Sequence, residues 1–116
     1  NEILRLTDKN LINSAAHITG GGLVENLLRS VPENLTLNID LSKIKKFKIF
    51  KWLKSKNIPD TEMIRTFNCG VGFCLIVPRK NISKIKRIFP IHFMPYEIGV
   101  ITKDKKRVNL SNFLKW

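Results

Sequence analysis

The sequence has 116 residues, of which 43% are hydrophobic, and this fits one globular domain and excludes an intrinsically disordered chain. No apolar run approaches the roughly 20 residues that a membrane-spanning helix needs, and the first residues show no signal-peptide pattern. The net charge is +12, carried by 15 Lys and only 6 Arg in a chain that also holds 15 Ile and 11 Asn.

The basic composition has a genomic explanation that competes with nucleic-acid binding. Lys, Ile and Asn share AT-rich codons, so drift in an AT-rich genome enriches all three, whereas selection for phosphate contacts does not enrich Ile. Arg is also the usual residue for bidentate phosphate and base contacts. We therefore predict no nucleic-acid partner and keep a basic nucleic-acid-binding module as an alternative.

The cysteines and the first residue bear on location and completeness. Cys69 and Cys74 are five residues apart and form no C-x-x-C motif, which excludes zinc-ribbon and redox sites of that type. We predict a reduced, cytoplasmic protein with no membrane partner. The chain starts at Asn1 rather than at an initiator methionine, which indicates a segment of a longer protein.

The apolar pattern of the first half predicts alternating helices and strands. Apolar residues recur at helical spacing from Leu23 to Val31, and Pro32 ends that pattern. They alternate strictly from Leu35 to Leu41, as in a half-buried strand. The lysine-rich segment that follows has an apolar residue at every third position, which predicts an amphipathic helix with a solvated basic face. In chain order the predicted elements are a helix over 2–9, a strand over 13–18, a helix over 23–31, a strand over 35–41 and a helix over 44–53.

The second half continues the alternation. Asp60 is placed to cap a short helix, and Pro78 ends an apolar strand that begins with glycines. The predicted elements are this helix, a strand over 70–77, a second basic amphipathic helix over 81–89, and strands over 96–102 and 107–110 that form a terminal hairpin. The pattern predicts one mixed α+β domain over 1–116, layered on a sheet.

The most informative segment is H-I-T-G-G-G-L-V-E-N, His17 to Asn26. Gly20, Gly21 and Gly22 follow a short strand and open a helix, where glycine lets the backbone approach a ligand and the helix presents free N–H groups. Thr19 adds a hydroxyl group. This arrangement predicts a phosphate cradle, although neither known glycine-rich phosphate motif is present and a tight structural turn stays an alternative.

Two side chains of this segment have both structural and functional interpretations. A lone histidine beside an apolar strand, as His17 is, is usually a hydrogen-bonded structural residue. Glu25 lies in the first helical turn, where a carboxylate also complements the helix dipole. Both alternatives stay open.

A second segment, M-I-R-T-F-N-C-G-V-G over 63–72, leads from a helix into a strand. Two glycines, Gly70 and Gly72, weaken a strand unless something packs close to its backbone. The segment therefore predicts either the wall of a site, with Arg65 and Asn68 organising it, or a close helix–sheet contact.

Cys69 raises the question of nucleophilic catalysis together with His17. No activating third group is evident, and buried free cysteines are common, so both Cys69 and Cys74 are interpreted as core residues.

The two segments together resemble the signature segments of phosphoribosylformylglycinamidine cyclo-ligase, also called AIR synthetase. The resemblance covers about residues 2–101 and includes 39–41, 50–53, 77–78 and 96–101. Departures from the family pattern lie at 43–48, 57–59, 89–95 and Tyr96 and leave both motifs intact.

The resemblance implies an enzyme of two domains that forms a homodimer, with ATP and Mg2+ bound mainly by an N-terminal domain. Nothing in this chain corresponds to that domain. The chain would be the C-terminal domain, a three-layer α/β/α structure around a mixed sheet with partial ferredoxin-like topology, and it would hold no metal by itself. Related ATP-dependent enzymes, such as FGAM synthetase and selenophosphate synthetase, are the alternatives within the superfamily.

The implied reaction belongs to purine biosynthesis. ATP activates the formyl oxygen of formylglycinamidine ribonucleotide (FGAM), and ring closure yields aminoimidazole ribonucleotide (AIR), ADP and phosphate. By this resemblance His17 is the catalytic candidate, and Arg65, Asn68, Gly70 and Gly72 form the cleft wall. The implied substrate- or phosphate-binding residues are Thr19, Gly20, Gly21, Gly22, Glu25 and Asn26. A Gly21→Asp change is expected to abolish turnover and leave the fold intact.

Overall fold

A computed structural model describes residues 2–116 and contains five helices and five strands within that range. Helices and strands are interspersed along the chain, and the three-stranded sheet is mixed, so the predicted mixed α+β class is confirmed. The helices are α1 Glu2–Asp8, α2 Gly22–Leu28, α3 Lys48–Lys54, α4 Asp60–Thr66 and α5 Ile82–Lys86. The strands are β1 Ser14–His17, β2 Thr36–Asp40, β3 Phe73–Ile76, β4 Gly99–Thr102 and β5 Val108–Ser111. No described helix is both long and apolar enough to cross a membrane.

The chain divides into two compact units. The first unit comprises the residues up to Ala15 together with Leu75–Glu97, and the second comprises Ala16–Cys74 and Ile98–Trp116. In the first unit, the Asn81 side chain donates to the Leu11 carbonyl oxygen at 3.0 Å, and Leu6 and Ile85 are buried. Both motifs predicted to carry function lie in the second unit.

A three-stranded sheet with the order β4-β2-β5 forms the centre of the second unit. Strand β2 pairs antiparallel with β4 and parallel with β5, and its apolar residues Leu37 and Ile39 are buried. The predicted hairpin between β4 and β5 is therefore wrong, because β2 lies between them. Local turn chemistry indicates adjacency, but a buried central strand must pair along both edges. The polar connection is held instead by Thr36, whose hydroxyl donates to Lys106 O at 2.6 Å and accepts from Asp104 N at 3.1 Å.

The lysine-rich helix is shorter than predicted. A 3-10 turn over Leu41–Lys43, capped by the Asp40 carboxylate that accepts from Ser42 N at 3.0 Å, places Ile44 in the core before any α-helix begins. Helix α3 starts only at Lys48 and contains no buried residue. The regular spacing of apolar residues therefore spans a capped turn, a loop and a helix rather than one helix.

Two further boundaries differ from the prediction. Asp60 is the first residue of α4 rather than its cap, because Lys54 Nζ lies 2.9 Å from Asp60 Oδ1, and Trp116 Nε1 donates to the same oxygen at 2.8 Å. Helix α5 covers only five residues after a 3-10 turn over Arg79–Asn81. At Asp60 these contacts explain the difference, since they occupy the carboxylate oxygen that would otherwise accept from the backbone.

Arg107 connects the end of α2 to the start of β5. Its guanidinium group donates four hydrogen bonds to backbone carbonyl oxygens, at 2.6 to 3.0 Å. The acceptors are Leu28, Val31, Pro32 and Leu35. One side chain therefore ties the last carbonyl group of α2 and three carbonyl groups of the loop that follows it to the start of β5.

Candidate functional site

The glycine-rich turn connects β1 to α2 in a conformation that requires glycine. Gly22 N donates to Thr19 O at 3.2 Å, which closes the turn. Gly21 and Gly22 have φ values of 92° and 69°, in the left-handed region that residues with a Cβ rarely adopt. The two glycines thus produce the sharp entry into the helix.

Gly22 also brings the two motifs together. A Cβ at this position would lie 2.2 Å from Ile64 O and 2.5 Å from Arg65 O. The start of α2 therefore packs directly on the backbone at the end of α4, a contact that only glycine permits. The alternative of a structural turn is therefore realised at Gly22, where the group that approaches closely is the protein's own backbone.

Asn26 holds the turn from inside. Its buried amide nitrogen lies 2.7 Å from Gly22 O, 3.1 Å from Gly20 O and 3.4 Å from Thr19 O. These three contacts hold the loop before α2 in place, one helical turn ahead of Asn26 itself. In this structure the contacts of the Asn26 amide are with the loop backbone.

The remaining surface of the turn is asymmetric. Nothing lies within 4 Å of a Cβ placed on Gly20, whereas a Cβ on Gly21 would lie 2.6 Å from the Glu25 carboxylate. That carboxylate also pairs with Arg29 at 2.6 Å. It complements the positive end of α2 and repels an anion on the Gly21 side. The open approach to the turn is therefore from the side of Gly20.

His17 lies at the end of β1 with an exposed side chain. Its ring stacks on that of Phe73, with centroids 5.8 Å apart and planes inclined by 25°. Within residues 2–116 no hydrogen bond to the imidazole nitrogens is found. The interpretation of His17 as a hydrogen-bonded structural residue thus has no support in the contacts, and both nitrogens are available to a ligand.

In the second motif, Asn68 and Gly70 contact neighbouring backbone, whereas the surroundings of Gly72 are open. Asn68 Oδ1 accepts from Gly70 N at 2.9 Å, which stabilises a turn where Cys69 and Gly70 have φ values of 50° and 94°. A Cβ on Gly70 would lie 3.0 Å from Lys45 O, so this glycine packs on neighbouring backbone. Gly72 has open space around it, and its carbonyl oxygen accepts from Ile18 N at 2.9 Å.

Arg65 lies at the end of α4, beside the glycine-rich turn. Its side chain is 78% exposed and pairs with Glu62 at 3.4 Å, a surface contact of small energy. Because the pair is weak and solvated, the guanidinium group is free to exchange Glu62 for an anionic ligand.

Cys69 is fully buried and its thiol donates to Met63 O at 3.5 Å. Burial raises the pKa of the Cys69 thiol to about 11, and burial raises the pKa of Cys74 to about 12. Both thiols are protonated at neutral pH, which supports the interpretation of the two cysteines as core residues.

Surface depressions of the second unit lie away from these residues. One is lined by Asp104, Lys105, Lys106 and Asn109, and another by Ser42, Asn112, Phe113, Leu114 and Lys115. Neither contains a motif residue. Among residues 2–116, no group of three or more His, Cys, Asp or Glu side chains is arranged to hold a metal ion.

Sequence reasoning did not single out Phe73 for this site. The available signal was its position directly after Gly72, where an aromatic residue opens a strand beside a backbone without a side chain. Pairing with β1 was needed to place it against His17.

The fold and this site define a mixed α+β domain in which a glycine-rich strand-to-helix turn packs on a second, glycine-flanked segment. The family described as AIR synthase related protein, C-terminal domain, matches residues 1–110. The chain belongs to this family, as its two motifs predict.

Several curated relatives carry the same segment. The chain is similar to the phosphoribosylformylglycinamidine cyclo-ligases of Xylella fastidiosa strain Temecula1, 44% identical over 94% of this chain, and of Carboxydothermus hydrogenoformans, 41% identical over 94%. It is also 36% identical over 98% of its length to the bifunctional purine biosynthetic protein ADE1 of Schizosaccharomyces pombe. The matched segments make up 33%, 32% and 15% of these proteins, so the chain spans a third of its bacterial relatives and less of the bifunctional one.

Proposed function

We propose that this chain is the C-terminal domain of a phosphoribosylformylglycinamidine cyclo-ligase, which converts FGAM and ATP to AIR, ADP and phosphate in purine biosynthesis. Family membership over 110 of 116 residues supports the proposal, as do relatives with that name. The observation that carries it is the junction at Gly22, which brings the two motifs into contact. An FGAM synthetase or selenophosphate synthetase is not favoured, since the relatives compared are named as cyclo-ligases or purine biosynthetic proteins.

The chemistry divides between this domain and the rest of the protein. ATP supplies the phosphoryl group that activates the formyl oxygen of FGAM, so that an internal nitrogen can attack the formyl carbon and phosphate can leave. We propose that an N-terminal domain binds ATP and Mg2+, a proposal that fits a chain spanning only a third of its bacterial relatives. No step through the metal is assigned to this chain. Homodimer formation and a cytoplasmic location belong to the same proposal.

His17 is the catalytic residue that we propose for this domain. Ring closure requires a proton to leave the attacking nitrogen, and a positioned imidazole with two available nitrogens is suited to accept it. The exposed position of His17 and the lack of hydrogen bonds from the described residues support this role. Holding the reacting groups in place contributes alongside this proton transfer.

The other motif residues bind the substrate or set the geometry of the loops around it. Gly20, with Thr19, gives the substrate's phosphoribosyl end an unobstructed backbone, and Arg65 supplies the positive charge for its phosphate. Glu25 suits a hydroxyl or N–H donor of the substrate rather than the phosphate, because it is a carboxylate. Gly72 leaves space beside His17. The structural members, which set the loop geometry, are Gly21, Gly22, Asn26, Asn68 and Gly70.

The test uses the full reading frame that contains this domain. The purified protein is incubated with FGAM, ATP and Mg2+, and AIR and ADP are quantified by chromatography, with ATP omitted in a control. Formation of AIR and ADP in equal amounts, dependent on ATP, supports the proposal. A folded protein that binds ATP but forms no AIR from FGAM contradicts it.

A further inference from the structure

Among residues 2–116, the ring of Phe73 is the contact that defines the plane of the His17 imidazole. The centroid separation of 5.8 Å and the inclination of 25° are those of an offset stack. A histidine normally gains its orientation from a hydrogen bond to one ring nitrogen. Within residues 2–116 His17 has no such bond, so the orientation of its ring depends on the stack with Phe73.

The backbone places this pair reliably. Strands β1 and β3 are hydrogen-bonded neighbours, and Ile18 N donates to Gly72 O at 2.9 Å immediately beside the two rings. The pair is therefore anchored by a sheet contact at the adjoining residues. This hydrogen bond holds the backbone beside the two rings in place, and the stack itself sets the position of the rings.

Burial in the core does not explain why a phenylalanine occupies position 73. Its side chain is 46% exposed, although the next residue, Cys74, is buried in the core. A half-exposed phenylalanine gives up part of the hydrophobic stabilisation that burial supplies. Gly72 leaves the neighbouring space open, so one face of the imidazole is covered by Phe73 while its edges stay accessible.

We infer that Phe73 is a positioning residue that holds the His17 imidazole in the plane from which it transfers a proton, leaving both ring nitrogens for the substrate. This inference rests on the proposed function of His17. Phe73 acts through His17 and not by binding substrate, so its loss lowers kcat while KM for FGAM stays nearly unchanged. A stack of this type corresponds to about a two- to tenfold effect on the rate.

The test compares three variants of the full-length protein. Phe73→Leu keeps an apolar side chain without a flat face, Phe73→Tyr keeps the ring, and Phe113→Leu makes the same change at a phenylalanine that is 81% exposed and takes no part in the site. We expect kcat to fall about two- to tenfold in Phe73→Leu, to recover in Phe73→Tyr, and to stay unchanged in Phe113→Leu. Equal kcat in Phe73→Leu and the active wild type overturns the inference, as does a loss confined to KM.

A second readout separates this inference from the proposed function. Histidine is labelled with 13C, and the His17 resonance is assigned by its absence in His17→Asn. If the wild type forms no AIR, the proposed function fails. The His17 resonance alone then tests whether Phe73 positions the imidazole. Loss of the aromatic ring shift in Phe73→Leu, with its retention in Phe73→Tyr, supports positioning by the stack. An unchanged His17 resonance in Phe73→Leu overturns it.

Discussion

Gly22 packs on Ile64 so closely that a Cβ on the glycine would lie 2.2 Å from the Ile64 carbonyl oxygen. This one contact joins two motifs that are about forty residues apart in the chain. The surroundings of the two glycines also differ. A Cβ on Gly22 would collide with protein backbone, whereas a Cβ on Gly20 would have no atom within 4 Å. The triple glycine is therefore not one ligand cradle but a structural junction with one open position.

Alanine substitutions at Gly22 and Gly20 are predicted to have opposite effects. Gly22→Ala forces a Cβ into backbone at a φ of 69°, which we expect to lower the free energy of unfolding by about 2–4 kcal/mol. Gly20→Ala meets no atom within 4 Å, so stability stays within about 0.5 kcal/mol while KM for FGAM rises. Urea unfolding and steady-state kinetics measure both. A stable Gly22→Ala variant would refute the junction, and an unchanged KM in Gly20→Ala would refute the open position.

The same geometry corrects the expectation for Gly21→Asp. Its side chain would begin 2.6 Å from the Glu25 carboxylate at a φ of 92°, so the variant suffers backbone strain and charge repulsion together. Loss of turnover in Gly21→Asp would therefore not isolate a role in binding. Gly20→Ala is the substitution that does.

Asn26 is predicted to maintain the loop through its amide nitrogen. Asn26→Asp replaces this donor by a carboxylate facing three carbonyl oxygens, which we expect to cost about 2–4 kcal/mol of stability at pH 7. The loss should be smaller at low pH, where the introduced side chain is neutral and can donate once. Thermal unfolding against pH measures this. A flat pH response relative to wild type would show that the amide does not hold the loop.

Arg107 is predicted to stabilise the second unit without affecting chemistry. Arg107→Gln removes most of four hydrogen bonds to carbonyl groups, and we expect a loss of about 1–3 kcal/mol in the free energy of unfolding. Arg79→Gln serves as the matched control, because Arg79 is exposed at a turn. Similar unfolding midpoints for the two variants would contradict the role of Arg107, and kcat should stay unchanged in both.

The buried thiols are predicted to be inert in the folded protein. At pH 8 the raised pKa values leave about a hundredfold less thiolate at Cys69, and about a thousandfold less at Cys74, than in the unfolded chain. Iodoacetamide labelling followed by mass spectrometry should therefore proceed about two to three orders of magnitude more slowly in native protein than in urea. Fast native labelling of Cys69 would reopen the nucleophile interpretation.

The same groups predict the alkaline stability of the fold. Because the folded pKa values lie above the unfolded value, these thiols contribute their full stabilisation below about pH 9. That contribution is lost as the pH rises through about 11 and 12. Replacing both cysteines by alanine should flatten the decline of the free energy of unfolding between about pH 9 and pH 11, and a decline of equal slope in the variant would contradict this.

Sequence patterns predicted most helices and strands because each has a local cause. Strict alternation placed β2, whereas α2 already ends at Leu28, before Pro32, and β3 covers only Phe73–Ile76 of the strand predicted over 70–77. The failures had non-local causes. The β4–β2–β5 order depends on which strand must be buried at the centre, and the late start of α3 depends on the Asp40 side chain capping a turn.

The candidate site was predictable as a set of residues but not as an arrangement. Motif resemblance identified His17 and the glycines, since residue type carries that information. It could not distinguish Gly20 from Gly22, because the difference is the proximity of Ile64, a residue distant in the chain. It also missed Phe73, whose contact with His17 exists only after β1 and β3 pair.

The kcat of His17→Asn tests the central claim most directly, measured in the full-length protein with FGAM, ATP and Mg2+. His92→Asn, at the chain's other histidine and in an exposed turn, is the control. We predict that His17→Asn lowers kcat by about 10²- to 10⁴-fold, with an unfolding midpoint close to wild type, and that His92→Asn changes neither. Wild-type kcat in His17→Asn would contradict the account, because no other group in this domain is proposed to move the proton.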